Sequence, residues 1–203
     1  ATASGAEAQA AAGDRVEILD GANWTSNDNT YLENGTVTLT GVGSTWTSED
    51  TVQLGISSGA VTGAVTVNTG TIWTLNSTAT VYSGSSVTLN AGTIELDGTL
   101  NATAGTFTFT DGTVHAVDSS QLRGDFNIPA TGIIHVGDSE TLTIMGNVTG
   151  TGLFRDDGPG TNGTVYFSSG SYAPGGTGTT ATILMNQYLG DSQYGLNLRF
   201  GSS

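Results

Sequence analysis

The sequence predicts an all-β protein, a right-handed parallel β-helix with a C-terminal β-hairpin. Three observations predict it. First, an apolar-Thr-apolar pattern followed within one to three residues by Gly recurs from Val37, Val65, Val87, Phe107 and Leu142, with a looser copy from Val165. The copies are 28, 22, 20, 35 and 23 residues apart, a spacing expected of stacked repeats. Second, the 203 residues include 35 Thr and 31 Gly, with 11% charged residues. The stiff, branched Thr side chain suits a pleated surface, and Gly serves turns while weakening helices. Third, secondary strands alternate with the main ones, so that each repeat holds the two or three short strands of one solenoid coil. Alternating strands with Gly turns also serve a β-sandwich, which stays open as the alternative.

In chain order, residues 1–13 are a low-complexity arm of small residues with too little apolar bulk for a core of its own. Residues 14–203 read as a single β-rich domain, most regular over 36–117. A short alternating strand at 16–19 is followed by a polar stretch at 23–34. The secondary strands are 51–54, 71–75, 93–96 and 113–117, with Asp-Gly, Ala-Gly and Ser-Gly turns that supply positive φ. Residues 121–131 have a poor pattern and contain Pro129; strands resume at 132–136. Residues 155–164 read as a loop. Strands at 181–185 and 195–200, separated by Leu189-Gly190-Asp191, read as the antiparallel hairpin.

Charge narrows the partners. The formal net charge is −14, there is no Lys, and the cations are Arg15, Arg123, Arg155 and Arg199. Such a chain repels nucleic acid and anionic membranes. No run approaches the roughly 18 apolar residues of a membrane span. Without Cys there is no disulfide framework and no thiol chemistry. The small, polar first twelve residues read like the start of a mature secreted chain, and an internal piece of a longer chain reads the same way.

Val37 to Trp46 (VTLTGVGSTW), Val52 to Gly55 (VQLG) and Val65 to Gly70 (VTVNTG) carry a resemblance. Residues 36–100, about a third of the chain, resemble the repeats of autotransporter passenger domains and of bacterial surface proteins with PEP-type sorting tags. The resemblance implies a right-handed parallel β-helix displayed at the bacterial cell surface. It brings no catalytic residues.

Chemistry is sparse. His115 and His135 each sit within a strand pattern, on coils that can be neighbours. Glu95 and Asp97 share a sheet face by alternation, but a general acid-base pair also needs a cleft. No catalytic residue is assigned. Asp156, Asp157 and Asn162 cluster oxygens on a Gly-containing loop suited to Ca²⁺, the one cofactor for which the sequence offers a place. Sequons at Asn23, Asn34, Asn76, Asn101, Asn147 and Asn162 are candidate glycan acceptors. Thr-x-Thr ladders at 36–40 and 106–110 resemble flat ice-binding faces, but the uneven intervals argue against register over several coils. Trp24, Trp46 and Trp73 are read as core or coil-end residues ahead of a sugar-stacking platform.

The functional expectation is a secreted structural subunit that assembles with copies of itself into an extracellular fibre or surface layer, by strand addition between subunits. The alternative is a cell-surface adhesin or carbohydrate-binding β-helix, with a polysaccharide as partner. An enzyme is not expected.

Overall fold

A computed structural model shows a parallel β-solenoid of about seven turns, with no helix among the described residues. The structure describes residues 9–10, 13–156, 163–169, 172–174 and 197–200. Every strand pair among them is parallel. That sets aside the sandwich, whose sheets are antiparallel.

The coils have three sides. β1 (Gln9–Ala10) lies on the third side. The first full coil is β2 (Arg15–Leu19), β3 (Asn23–Ser26) and β4 (Thr30–Leu32). The second is β5 (Thr36–Thr40), β6 (Thr45–Ser48) and β7 (Val52–Leu54). The third is β8 (Ala64–Asn68), β9 (Ile72–Leu75) and β10 (Thr78–Val81). In the next two coils one long strand serves the first and second sides: β11 (Ser86–Leu96) with β12 (Thr99–Asn101), then β13 (Thr106–Ala116) with β14 (Ser120–Arg123). The sixth coil is β15 (Phe126–Ile128), β16 (Ile133–Val136) and β17 (Thr141–Met145). The seventh is β18 (Val148–Gly150), β19 (Leu153–Asp156) and β20 (Thr164–Ser169). β21 (Tyr172–Pro174) and β22 (Asn197–Phe200) follow on the first and third sides.

Alternation explains the core. Inward residues stack coil upon coil, as in Val37, Val65, Val87 and Phe107 on the first side. All four are buried, and their outward neighbours are mostly Thr. Burial of these apolar columns, at about 25 cal/mol per Å², is the main force holding the coils together. Insertions are confined to corners. The 28-residue step from Thr36 to Ala64 keeps register because the extra residues form a turn between β7 and β8, closed by Gly59 N donating to Ile56 O at 2.9 Å.

The structure corrects three readings. The 35-residue interval is not one long coil: Phe107 lies on the first side, whereas Leu142 and Val165 lie on the third. Apolar-Thr-apolar marks a strand on any side, so the pattern could change sides unnoticed. The polar stretch 23–34 holds β3 and β4, and the poor stretch 121–131 holds most of β14 and all of β15. Their alternation is disguised because Ser26, Thr30 and Ser120 occupy buried positions. Of the expected hairpin, Asn197–Phe200 pairs in parallel with β20, and residues 181–185 lie outside the described residues.

Candidate functional site

The second side carries most of the polar and aromatic chemistry. Inside it, Trp24, Trp46 and Trp73 are in register and stacked, with ring centroids 5.0 and 4.9 Å apart and planes within 11° and 4°. Trp46 and Trp73 are fully buried and Trp24 is partly buried against the core. Each buried indole needs an acceptor for its N–H. Trp46 Nε1 donates to Ser26 Oγ at 3.1 Å, and Trp73 Nε1 donates to Ser48 Oγ at 3.0 Å. The two fully buried indoles therefore repeat a rule: each bonds the Ser hydroxyl of the coil before it. Trp46 and Trp73 are core residues, and Trp24 packs partly buried against that core.

Outside the same strands, Thr25, Thr47, Thr74, Glu95, His115, His135 and Arg155 form one in-register column. The two imidazoles stack at 4.4 Å with planes within 15°. Nearly parallel ring planes do not converge on one metal ion. Glu95 Oε2 instead accepts from Thr74 Oγ1 at 2.9 Å, and Asp97, its expected partner, is engaged elsewhere.

Asp97, Asp118 and Glu140 occupy successive turns between the second and third sides. Burial, the Asp118 charge and a hydrogen bond with Asp118 raise the Asp97 pKa. Burial, Asp118 and Asp97 raise that of Glu140. Sequence reasoning missed this cluster, though its spacings of 21 and 22 residues match the coil period. Among the described residues no group of three or more His, Cys, Asp or Glu is arranged to hold a metal ion. Of the Ca²⁺ candidates, Asp156 ends β19, and Asp157 and Asn162 lie outside the described residues.

The sequons fall on turns and strands of several sides. Asn23, Asn34 and Asn147 are exposed, Asn76 and Asn101 half-buried, and Asn162 lies outside the described residues. Asn76 Nδ2 donates to Glu49 Oε2 at 2.7 Å, and Asn147 Nδ2 donates to both oxygens of Asp125 at 3.1 Å. In these two the nitrogen that would carry a glycan is engaged.

On the first side, Thr38, Thr66, Thr88 and Thr108 stand in register, flanked by Thr36, Ala64, Ser86 and Thr106. The expectation that uneven intervals break this register is overturned, because corner turns absorb the differences.

At the N-terminal end, two strands are paired on one side only among the described residues. β2 pairs with β5 and β3 with β6, each on one side only among the described residues. β4 is covered by β1, with Gln9 beside Tyr31 and Ala10 beside Leu32. Leu19 on β2 is 43% exposed, and Arg15 and Glu17 form an exposed ion pair on the same strand. No helix among the described residues is long and apolar enough to cross a membrane.

No family model matches the chain, and no curated protein or solved structure matches it. The architecture alone places it among β-solenoid repeat proteins.

Proposed function

We propose that the chain is a structural subunit outside the bacterial cell, stacking end to end with copies of itself into a fibre or surface layer. The observation that carries this reading is the edge of β2, which among the described residues pairs only with β5. Val16 is partly buried beside it, Leu19 is exposed, and no Lys blunts the edge. A parallel strand from a second copy would continue the ladder. A head-to-tail contact that does not close produces a filament. Gln9–Ala10 pairs with the chain's own β4, so the proposed contact is at β2 and not through those arm residues. The repeat resemblance over residues 36–100 supports display at a cell surface in the manner of autotransporter passengers and PEP-type sorted proteins. Electron microscopy and sedimentation across protein concentration and salt test the reading. Filaments are expected, favoured by salt because the charge of −14 opposes contact. Single particles under every condition sink it.

The Thr ladder favours a second reading, an adhesin that binds an ordered polysaccharide through the flat, hydroxyl-rich first side. Retention on an insoluble polysaccharide, lost in Thr66→Lys and Thr88→Lys without unfolding, would establish it.

A further inference from the structure

The outer face of the first side is an ordered array with sharp limits. Thr38, Thr66, Thr88 and Thr108 form one column across four successive coils, and Thr36, Ala64, Ser86 and Thr106 form the next. Register holds through both columns, and the irregularity beside Asn90 begins only beyond them. In the first coil the same positions are Arg15 and Glu17, and after the fifth coil β15 joins another sheet.

Three properties define what this face can hold. It is neutral: no residue of the two columns is charged, in a chain of net charge −14. Its hydroxyls are available. Among the described residues no hydrogen bond engages them, whereas in the adjoining column Asn68 Nδ2 donates to Thr40 Oγ1 at 3.4 Å and Asn90 Nδ2 donates to Asn68 Oδ1 at 3.0 Å. It is also stiff, because β5, β8 and β11 are each paired on both sides and the branched Thr side chain has few rotamers.

Spacing identifies the ligand. Along the solenoid the hydroxyls repeat at the interstrand distance of about 4.8 Å. Hydrogen-bonded oxygens lie about 2.75 Å apart, so second neighbours in a tetrahedral water network are about 4.5 Å apart. Over the three steps between four coils the mismatch accumulates to about 1 Å, which leaves each hydroxyl of a column within reach of a lattice oxygen. One hydroxyl contact contributes little, so the ligand must engage many at once in fixed register. A sugar surface would call for an aromatic ring to cover the apolar side of each residue, and neither column holds one.

We propose that the first side of the second to fifth coils binds ice, its Thr hydroxyls hydrogen-bonding to oxygens of the crystal surface. The inference does not rest on subunit stacking, which uses the β2 edge. It sets frozen water against polysaccharide as the ligand of this face.

Ice grown slowly through a dilute solution of the full chain tests it, by comparing the protein taken into the ice with the protein left in the liquid. The parent chain is expected to be enriched in the ice relative to a reference protein without affinity for it. Thr66→Lys should abolish the enrichment, because a long charged side chain holds the lattice away from the neighbouring hydroxyls. Thr108 is exposed, so Thr108→Lys repeats the test at a position where the fold has least to lose. Thr99→Lys makes the same charge change on the third side and should leave the enrichment intact. Thermal unfolding of each variant separates loss of the face from loss of the fold. The proposal is overturned if the parent chain is excluded from ice as the reference protein is. It is equally overturned if Thr99→Lys loses as much enrichment as folded Thr66→Lys or Thr108→Lys. Retention on an insoluble polysaccharide without enrichment in ice would assign the face to a glycan and overturn it as well.

Discussion

The second and third coils and the sixth and seventh are built to one plan and filled differently. In the earlier pair, the second side holds Trp46 and Trp73 with Ser48 between them as acceptor. In the later pair, the same column holds Ile134 and Phe154, and Val136 takes the Ser position. First-side strands shorten from five residues in β5 and β8 to three in β15 and β18, which leave the main sheet for a small one. A parallel solenoid therefore tolerates large changes in side-chain chemistry provided that each column stays buried and each corner turns. Register is kept along the columns and shifts only at local irregularities, as beside Asn90 and Met145.

The comparison breaks first at the aromatic column. Trp46→Ala should destabilise by about 3–5 kcal/mol, because a fully buried ring with neighbours on both faces is lost. Ile134→Val, in the later part of the same column, should cost only about 0.5–1.5 kcal/mol. Thermal and denaturant unfolding of the two variants measure the ratio. Equal losses would mean that the ladder adds nothing beyond ordinary core burial.

Corners supply the next contrast. Gly112 has φ 104°, and a Cβ there would sit 2.2 Å from the Gly92 carbonyl oxygen. Gly43 has φ 83°, but its nearest neighbour to such a Cβ is 3.8 Å away. Gly43→Ala should cost about 1 kcal/mol, the strain of a left-handed backbone alone. Gly112→Ala adds a clash with backbone that cannot yield without separating β11 from β13, and should cost on the order of 3 kcal/mol. Similar losses at the two positions would show that the corner relaxes more easily than its packing implies.

A smaller effect isolates the hydroxyls. Ser48→Ala leaves the buried Trp73 N–H without its acceptor, at a cost of about 1–3 kcal/mol. The cost should fall sharply in a Trp73→Phe background, where no N–H needs a partner. Unfolding of the double-mutant cycle measures that coupling.

These contrasts also mark what the sequence could disclose. Strands from Val37 to Val117 were legible because apolar residues alternate with Thr around Gly turns. β3 and β4 were not, since Ser26 and Thr30 fill inward positions that usually mark a strand by being apolar. Their register becomes visible only when Trp24 is seen stacked on Trp46. Likewise Asp97, Asp118 and Glu140 are unremarkable in a chain with 18 acidic residues until coil periodicity brings them together. The sequon and Ca²⁺ readings rested on local composition, which carries no information about coil stacking.

The smallest expected effect sets two turns against each other by pH. The pKa values of Asp97 and Glu140 are raised in the fold, by burial first and by Asp118 next. Between their ordinary and raised values the folded chain binds more protons than the unfolded one, so their contribution favours folding at low pH and is lost as pH rises through that window. Asp125 behaves oppositely. Its carboxylate accepts the Asn147 backbone N–H at 2.7 Å, which lowers its pKa, and its contribution is present above the ordinary value and lost as pH falls through the lowered one. All these groups are largely exposed, so solvent screening keeps each effect small. Asp118→Asn removes the charge responsible for much of the carboxylate repulsion. It should raise the melting temperature at neutral pH and flatten its fall from the acidic side, whereas Asp125→Asn should lower it at neutral pH with little change at strongly acidic pH. Added salt should narrow the Asp118→Asn gain, because it screens the same repulsion in the parent chain. A gain that persists unchanged at high salt would mean that the Asn packs better at that corner, and that repulsion between coils is not what Asp118 contributes.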